Sequence, residues 1–230
     1  MSQIIEAIKR IANTAKQKNN YYNLPATLLG YFPPYKSVSN ATPENLTVEQ
    51  LEIVDRYLKN FQPRLSLEQI EEIIEPYQFK LPQEFYDFYQ MGNGCLPIGT
   101  PQDLYSIYNY RYFPSYPQSF NTLQEAISCY KDILLDCNPR LLTICHSYDE
   151  AEVVLAIVGS EKQQETSPVF LTYSDCIREE NPSEMMILFP SLTNMMLAYA
   201  ELYESKEKYT ETWKEDIVSK YGGNPEWFYW

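Results

Sequence analysis

Residues 81–94 read Leu81-Pro82-Gln83-Glu84-Phe85-Tyr86-Asp87-Phe88-Tyr89-Gln90-Met91-Gly92-Asn93-Gly94. The spacing predicts one short amphipathic helix with a proline at its first helical position, where a missing N–H leaves no bond unmade. Phe85, Phe88 and Tyr89 recur at i, i+3, i+4 and mark one buried face. Asn93-Gly94 is a stop signal, because Asn and Gly accept the left-handed conformations that end a helix and turn the chain.

Upstream lies an acidic, periodically apolar stretch, Leu67-Glu68-Gln69-Ile70-Glu71-Glu72-Ile73-Ile74-Glu75, and Phe79 precedes Leu81-Pro82. An acidic helix, a Leu-Pro, an aromatic-rich helix and an Asn-Gly, in that order, resemble the signature of the SUKH superfamily. Its members include bacterial immunity proteins and Smi/Knr-type cell-wall regulators. The resemblance covers residues 66–94 closely and extends more weakly to about 205. It implies a single mixed, mostly antiparallel sheet flanked by helices, and a protein that works by binding other proteins.

Outward from this stretch, the remaining elements follow from caps and periodicity. Ile4, Ile8, Ile11 and Ala15 share a helical face behind Ser2. Residues 21–45 are a Tyr/Pro-rich connector. Thr47-Val48-Glu49-Gln50, Ser66-Leu67-Glu68-Gln69 and Thr122-Leu123-Gln124-Glu125 are capping boxes, in which a Ser or Thr and a Glu or Gln three residues later satisfy each other's backbone N–H groups. The third box starts a helix through Ala126, Ile127, Tyr130 and Ile133. Leu141–Cys145, Val153–Val158 and Val169–Thr172 are β-type runs separated by polar turns, which is the pattern of an antiparallel meander. Ser191 caps a helix carrying Leu192, Met195, Met196, Tyr199 and Leu202. A last helix ends at Gly222-Gly223, before the aromatic tail Glu226–Trp230.

The expected fold is therefore α+β, SUKH-like, with extra N-terminal and C-terminal helices and the sheet covered on one side. The expected organisation is a single globular domain over 1–230. Within it, 1–60 is an N-terminal helical extension, 61–205 the SUKH-like core, and 206–230 a C-terminal helix and aromatic tail.

Composition narrows the function. The 230-residue chain carries 31 acidic and 18 basic residues, net −13. Residues 1–36 hold five basic residues against Glu6 alone, +4, which leaves −17 on the rest. Such a body repels nucleic-acid phosphates and attracts basic proteins. No run approaches a membrane span of about 18 apolar residues. Glu6, Lys9 and Arg10 interrupt any signal-peptide core. Five cysteines without a C-x-x-C pair suit a reducing compartment. The expected location is the cytoplasm, with neither nucleic acid nor membrane as partner.

Catalytic apparatus is sparse. The one histidine, His146, follows Cys145 at the end of a strand, where adjacent side chains point to opposite faces. Cys129, Cys137 and Cys145 lack the close spacing of a zinc site. There is no P-loop and no G-x-G-x-x-G. The expectation is no catalytic residue, no metal and no cofactor, with an enzyme built on paired carboxylates ranked last.

Recognition chemistry is better supplied. Twenty-one tyrosines are present, and Tyr105, Tyr108, Tyr110, Tyr112, Phe113 and Tyr116 fall within twelve positions. Either they form the inward face of a strand, or the segment presents tyrosine contacts of the kind interfaces collect. Two acidic clusters accompany them: Asp149, Glu150 and Glu152 in one turn, and Asp175, Glu179 and Glu180 in a later loop. The expected partner-binding face joins these six acids to Tyr108, Tyr110 and Tyr112. The resemblance implies an immunity protein that neutralises a cognate, basic toxin by direct binding, and its alternative is a regulatory adaptor of the Smi/Knr type.

Overall fold

The computed structural model describes residues 2–17, 48, 64–93, 120–129, 131–135, 140–146, 152–158, 163–178, 186–204 and 211–223. Apart from Val48, the helix expected behind the Thr47 capping box lies outside the described residues, as do the 21–45 connector, the tyrosine run at 105–116, the acids at 149–150 and 179–184, and the terminal aromatic tail.

The chain begins with helix α1 (Gln3–Gln17), whose Ile4, Ala7, Ile8 and Ile11 are buried. Helix α2 (Leu67–Ile74) starts at the expected capping box: the Ser66 hydroxyl accepts from the Gln69 N–H, and the Gln69 side chain accepts from the Ser66 N–H. A 3-10 turn, Glu75–Tyr77, ends at Gln78, a non-glycine residue held at φ 54°.

Helix α3 (Gln83–Met91) is the aromatic helix. Pro82 stands one position earlier than expected, as N-cap residue rather than first helical residue. The C-terminal end also differs from expectation. Gly92 closes the helix with extended φ of 178°, and Asn93 does not adopt a positive φ. Asn93 instead reaches across the fold: its side-chain oxygen accepts from the Leu123 N–H at 2.8 Å. Its amide donates to Gln124. It thus ties the end of α3 to the start of α4 (Leu123–Ser128), which carries its own Thr122–Glu125 capping box. The expected continuous helix through Ile133 is two, because Cys129 leaves helical geometry (ψ 118°) before α5 (Lys131–Leu134).

Strands β1 (Leu141–His146), β2 (Glu152–Ile157) and β3 (Val169–Tyr173) match the expected meander. They are followed by the short helix α6 (Ser174–Arg178) and a fourth strand, β4 (Met186–Phe189), which periodicity did not disclose. The sheet order is β1-β2-β3-β4, and every described pairing is antiparallel. The fold is α+β. Helix α7 (Leu192–Glu204) and helix α8 (Glu211–Tyr221) complete it. The Ser191 hydroxyl caps α7 by accepting from the Asn194 N–H at 2.9 Å.

The main core lies between one sheet face and the helices. Leu142, Val154, Ala156, Val169, Leu171 and Leu188 meet Ile70, Ile74, Phe85, Phe88, Met195 and Met196. The other face is not bare, contrary to expectation. Leu141, Val153 and Leu155 form a second cluster with Leu134 of α5 and Ile177 of α6. The N-terminal helix shares the main core: α1 packs along α7, and the Arg10 guanidinium grips both oxygens of Glu204 across 194 positions of sequence.

Phe88 sits at the centre, fully buried, with its ring edge-on to Phe120 (centroids 5.0 Å) and to Tyr89 (5.2 Å). Removing a ring from such a site loses its burial and leaves a cavity. Phe88→Ala should therefore destabilise the chain by about 3–5 kcal/mol in urea unfolding. A loss under about 1 kcal/mol would show that the site refills and that the ring is not a keystone.

Candidate functional site

The most unusual side chain among the described residues is Glu84, only 4% exposed on the second residue of α3. A charged group this deep must be paired or fully hydrogen-bonded. One Glu84 oxygen accepts from the Ser167 N–H at 2.9 Å and the Leu192 N–H at 3.3 Å, and the other from the Thr193 N–H at 2.8 Å. Two of those donors are the first N–H groups of α7, which have no partner within their own helix. Alongside, the Gln83 and Glu84 N–H groups donate to the Gln164 and Glu165 carbonyls at 2.7 and 3.2 Å.

Burial pushes the Glu84 carboxyl above its ordinary range, and the N–H donors partly oppose this. Its carboxylate is held by backbone N–H groups and by the Thr193 side chain, so the arrangement builds structure. Sequence reasoning did not single it out, though a signal was present. Glu84 lies four residues before Phe88, on the buried stripe of α3.

The folded chain holds this proton more tightly than the unfolded chain. The resulting contribution to stability is complete below the ordinary value of 4.5 and is lost as pH rises through the higher folded value. Urea titrations between about pH 4 and about pH 8 should show wild type losing stability relative to Glu84→Gln as pH rises. The opposite slope would mean that the N–H donors outweigh desolvation. Glu84→Ala, which strands three donors, should cost about 1–3 kcal/mol at any of these pH values.

The cysteine–histidine pair forms no nucleophile. Cys145 is fully buried, opposite Val154 and bridged to Phe120, and burial pushes its thiol well up. His146 pairs with Val153 along the strand. No group of three His, Cys, Asp or Glu side chains suited to a metal occurs among the described residues.

Of the nine expected partner-binding residues, the structure describes the placement of two. Glu152 is the first residue of β2 rather than part of a turn, because its backbone joins the ladder opposite Tyr173. Asp175 is exposed in the first turn of α6 rather than in a loop. Asp149, Glu150, Glu179, Glu180, Tyr108, Tyr110 and Tyr112 lie outside the described residues.

The antiparallel register nevertheless relates the two acidic segments. The end of β1, the start of β2, the end of β3 and the start of β4 share one end of the sheet. The connection across 147–151 and the connection beginning with α6 both leave from that end. Tyr173, 46% exposed, is the last residue of β3 there, and the sequence pattern alone does not single it out.

The model of the SMI1 / KNR4 family (SUKH-1) matches residues 64–198, more than half of the chain and the whole span from α2 into α7. No curated protein and no solved structure matches it.

Proposed function

The chain belongs to the SMI1 / KNR4 family (SUKH-1), and from that premise we propose that it is an immunity protein neutralising a cognate basic toxin by direct binding. The observation that carries this reading is the strand register. It brings Glu152, at the start of β2, and the end of β3 that leads into Asp175 to the same end of one sheet, and Asp149, Glu150, Glu179 and Glu180 follow closely in sequence. In this reading the six carboxylates act together, on a body with net charge −17 outside residues 1–36, as a field of one sign. Such a field steers a basic partner and rejects phosphates. Tyr173, and the tyrosines at 108, 110 and 112, supply amphipathic contact area at low ordering cost. The protein acts without chemistry, by covering the partner's working surface, and does so in the cytoplasm.

The rival reading, a regulatory adaptor binding cellular partners, draws on α1 and α8. Both lie outside the matched segment, and both pack against α7. The two readings differ in the partner and not in the surface. A pull-down from the native cell, read by mass spectrometry, should return a toxin domain under the first reading and a housekeeping protein under the second.

With that partner in hand, Glu150→Lys and Glu179→Lys should each slow association, by about tenfold at low salt and far less at about 300 mM salt. Tyr112→Ala should act on dissociation instead, with about 2 kcal/mol lost. Binding that ignores both salt and charge reversal would rule out the acidic sheet end as the contact surface.

A further inference from the structure

The opposite end of the sheet carries a second feature. Arg140, just before β1, donates from Nη1 to the Tyr77 carbonyl at 2.6 Å and the Gln78 carbonyl at 3.2 Å. Its own carbonyl accepts from the Val158 N–H. The 3-10 turn after α2 is thereby held at the Arg140/Val158 end, away from the acidic strand ends. Between α2 and this turn lies an open groove of about 690 Å³, lined by Leu67, Glu68, Glu71, Glu72, Ile74, Glu75, Gln78, Phe79 and Lys80.

Three observations concern what this groove would accept. Its charged lining is four glutamates and one lysine, net −3, and the Lys80 ammonium is already paired with Glu71 at 2.8 Å. The Glu71 carboxylate also accepts from the Tyr86 hydroxyl at 2.6 Å, and Glu68, Glu72 and Glu75 face solvent, Glu68 with hydrogen bonds to Ser66 and its own backbone N–H. Next, Leu67 is 50% exposed at the edge, above a floor that includes Ile74 and Phe79.

The last observation is energetic. Glu71, Glu72 and Glu75 stand at the C-terminal end of α2, and no basic residue occupies its last turn. That end already carries the negative pole of the helix, so acids there work against stability. Arg140 answers the carbonyls of the following turn from one side, yet the groove side is left acidic. A cation arriving from outside would relieve both the carboxylate repulsion and the helix pole.

We propose that this groove is a docking site for a cationic segment of a partner polypeptide, its Lys or Arg side chains meeting Glu68, Glu72 and Glu75 and one apolar side chain resting on Leu67. It is a second surface, separate from the acidic strand ends, and does not depend on whether the partner there is a toxin. A partner long enough to span the sheet would engage both ends, and linkage would multiply the two affinities.

The test uses the full chain and a synthetic amphipathic peptide of lysine and leucine, with its glutamate-for-lysine counterpart as comparison. Backbone amide shifts should change at 67–80 with the lysine peptide and not with the glutamate one. The double variant Glu72→Lys/Glu75→Lys should weaken binding by about tenfold or more, and Leu67→Ala by about threefold. A reversal of the same size on α1 and α8, Glu6→Lys/Asp216→Lys, should leave affinity within about twofold, because neither residue lines the groove and salt screens exposed charges over about 8–10 Å. Glu72→Lys/Glu75→Lys should also raise Tm, since it places cations at the helix C-terminus. Equal weakening by both double variants would show that the peptide reads net charge alone and overturn the site. Shifts confined to other residues, or a lowered Tm with unchanged affinity, would overturn it too.

Discussion

The carboxylate of Glu84 is the junction on which the helical layer is assembled. It accepts from the N-terminal N–H groups of α7 and from the segment entering β3, while the backbone of its own first turn donates to that same segment. Three pieces of chain far apart in sequence are fixed to one side chain. Helix poles favour a negative charge at such a meeting point by up to about 2 kcal/mol in partly buried settings. Desolvation of a carboxylate opposes this by several kcal/mol, and the upward shift of Glu84 says that desolvation is the larger of the two. The contribution of this residue is therefore geometric. It fixes where α7 begins relative to α3 by accepting from three N–H donors.

Given that junction, the rest of the core is ordinary packing. Phe85 and Phe88 fill the space between α3 and the sheet, and Asn93 fixes the far end of the same helix to α4. The Leu-Pro and Asn-Gly at either end of α3 are thus structural punctuation. One end docks on the strand-connecting segment at 163–168, and the other on a helix thirty positions later. This also separates family membership from function. The aromatic residues of α3 that carry the resemblance hold the scaffold together, while the surfaces proposed for binding lie at the strand ends and along α2.

What could be read from the chain was whatever depends on neighbours within a turn or two. Ser66 and Thr122 close their capping boxes as their local sequences require, and the alternating runs of β1 to β3 pair as a meander. Local signals failed where a distant partner decides. Glu84 looks like a solvated acid until Ser167 and Thr193 are brought to it, and Asn93 looks like a turn residue until Leu123 arrives. Asp175 reads as a loop residue because a five-residue helix is too short to show a period. β4, four residues long, escaped notice for the same reason. The candidate binding face was legible only as composition, two clusters of acids. That Glu152 and Asp175 stand at one end of the sheet needed the register of strands whose pairing no single segment encodes.

The clasp between Arg10 and Glu204 has a temporal meaning. These residues are 194 positions apart, and the apolar stripe of α1 finds its principal partner, α7, only at the far end of the chain. On a ribosome adding about 5–20 residues per second, Ile4, Ile8 and Ile11 leave the tunnel about 10–40 s before α7 can receive them. Throughout that interval the nascent chain carries an unmatched greasy helix. Helix α1 is thus made well before the helix it packs on, which gives holdase chaperones a defined window on the growing polypeptide.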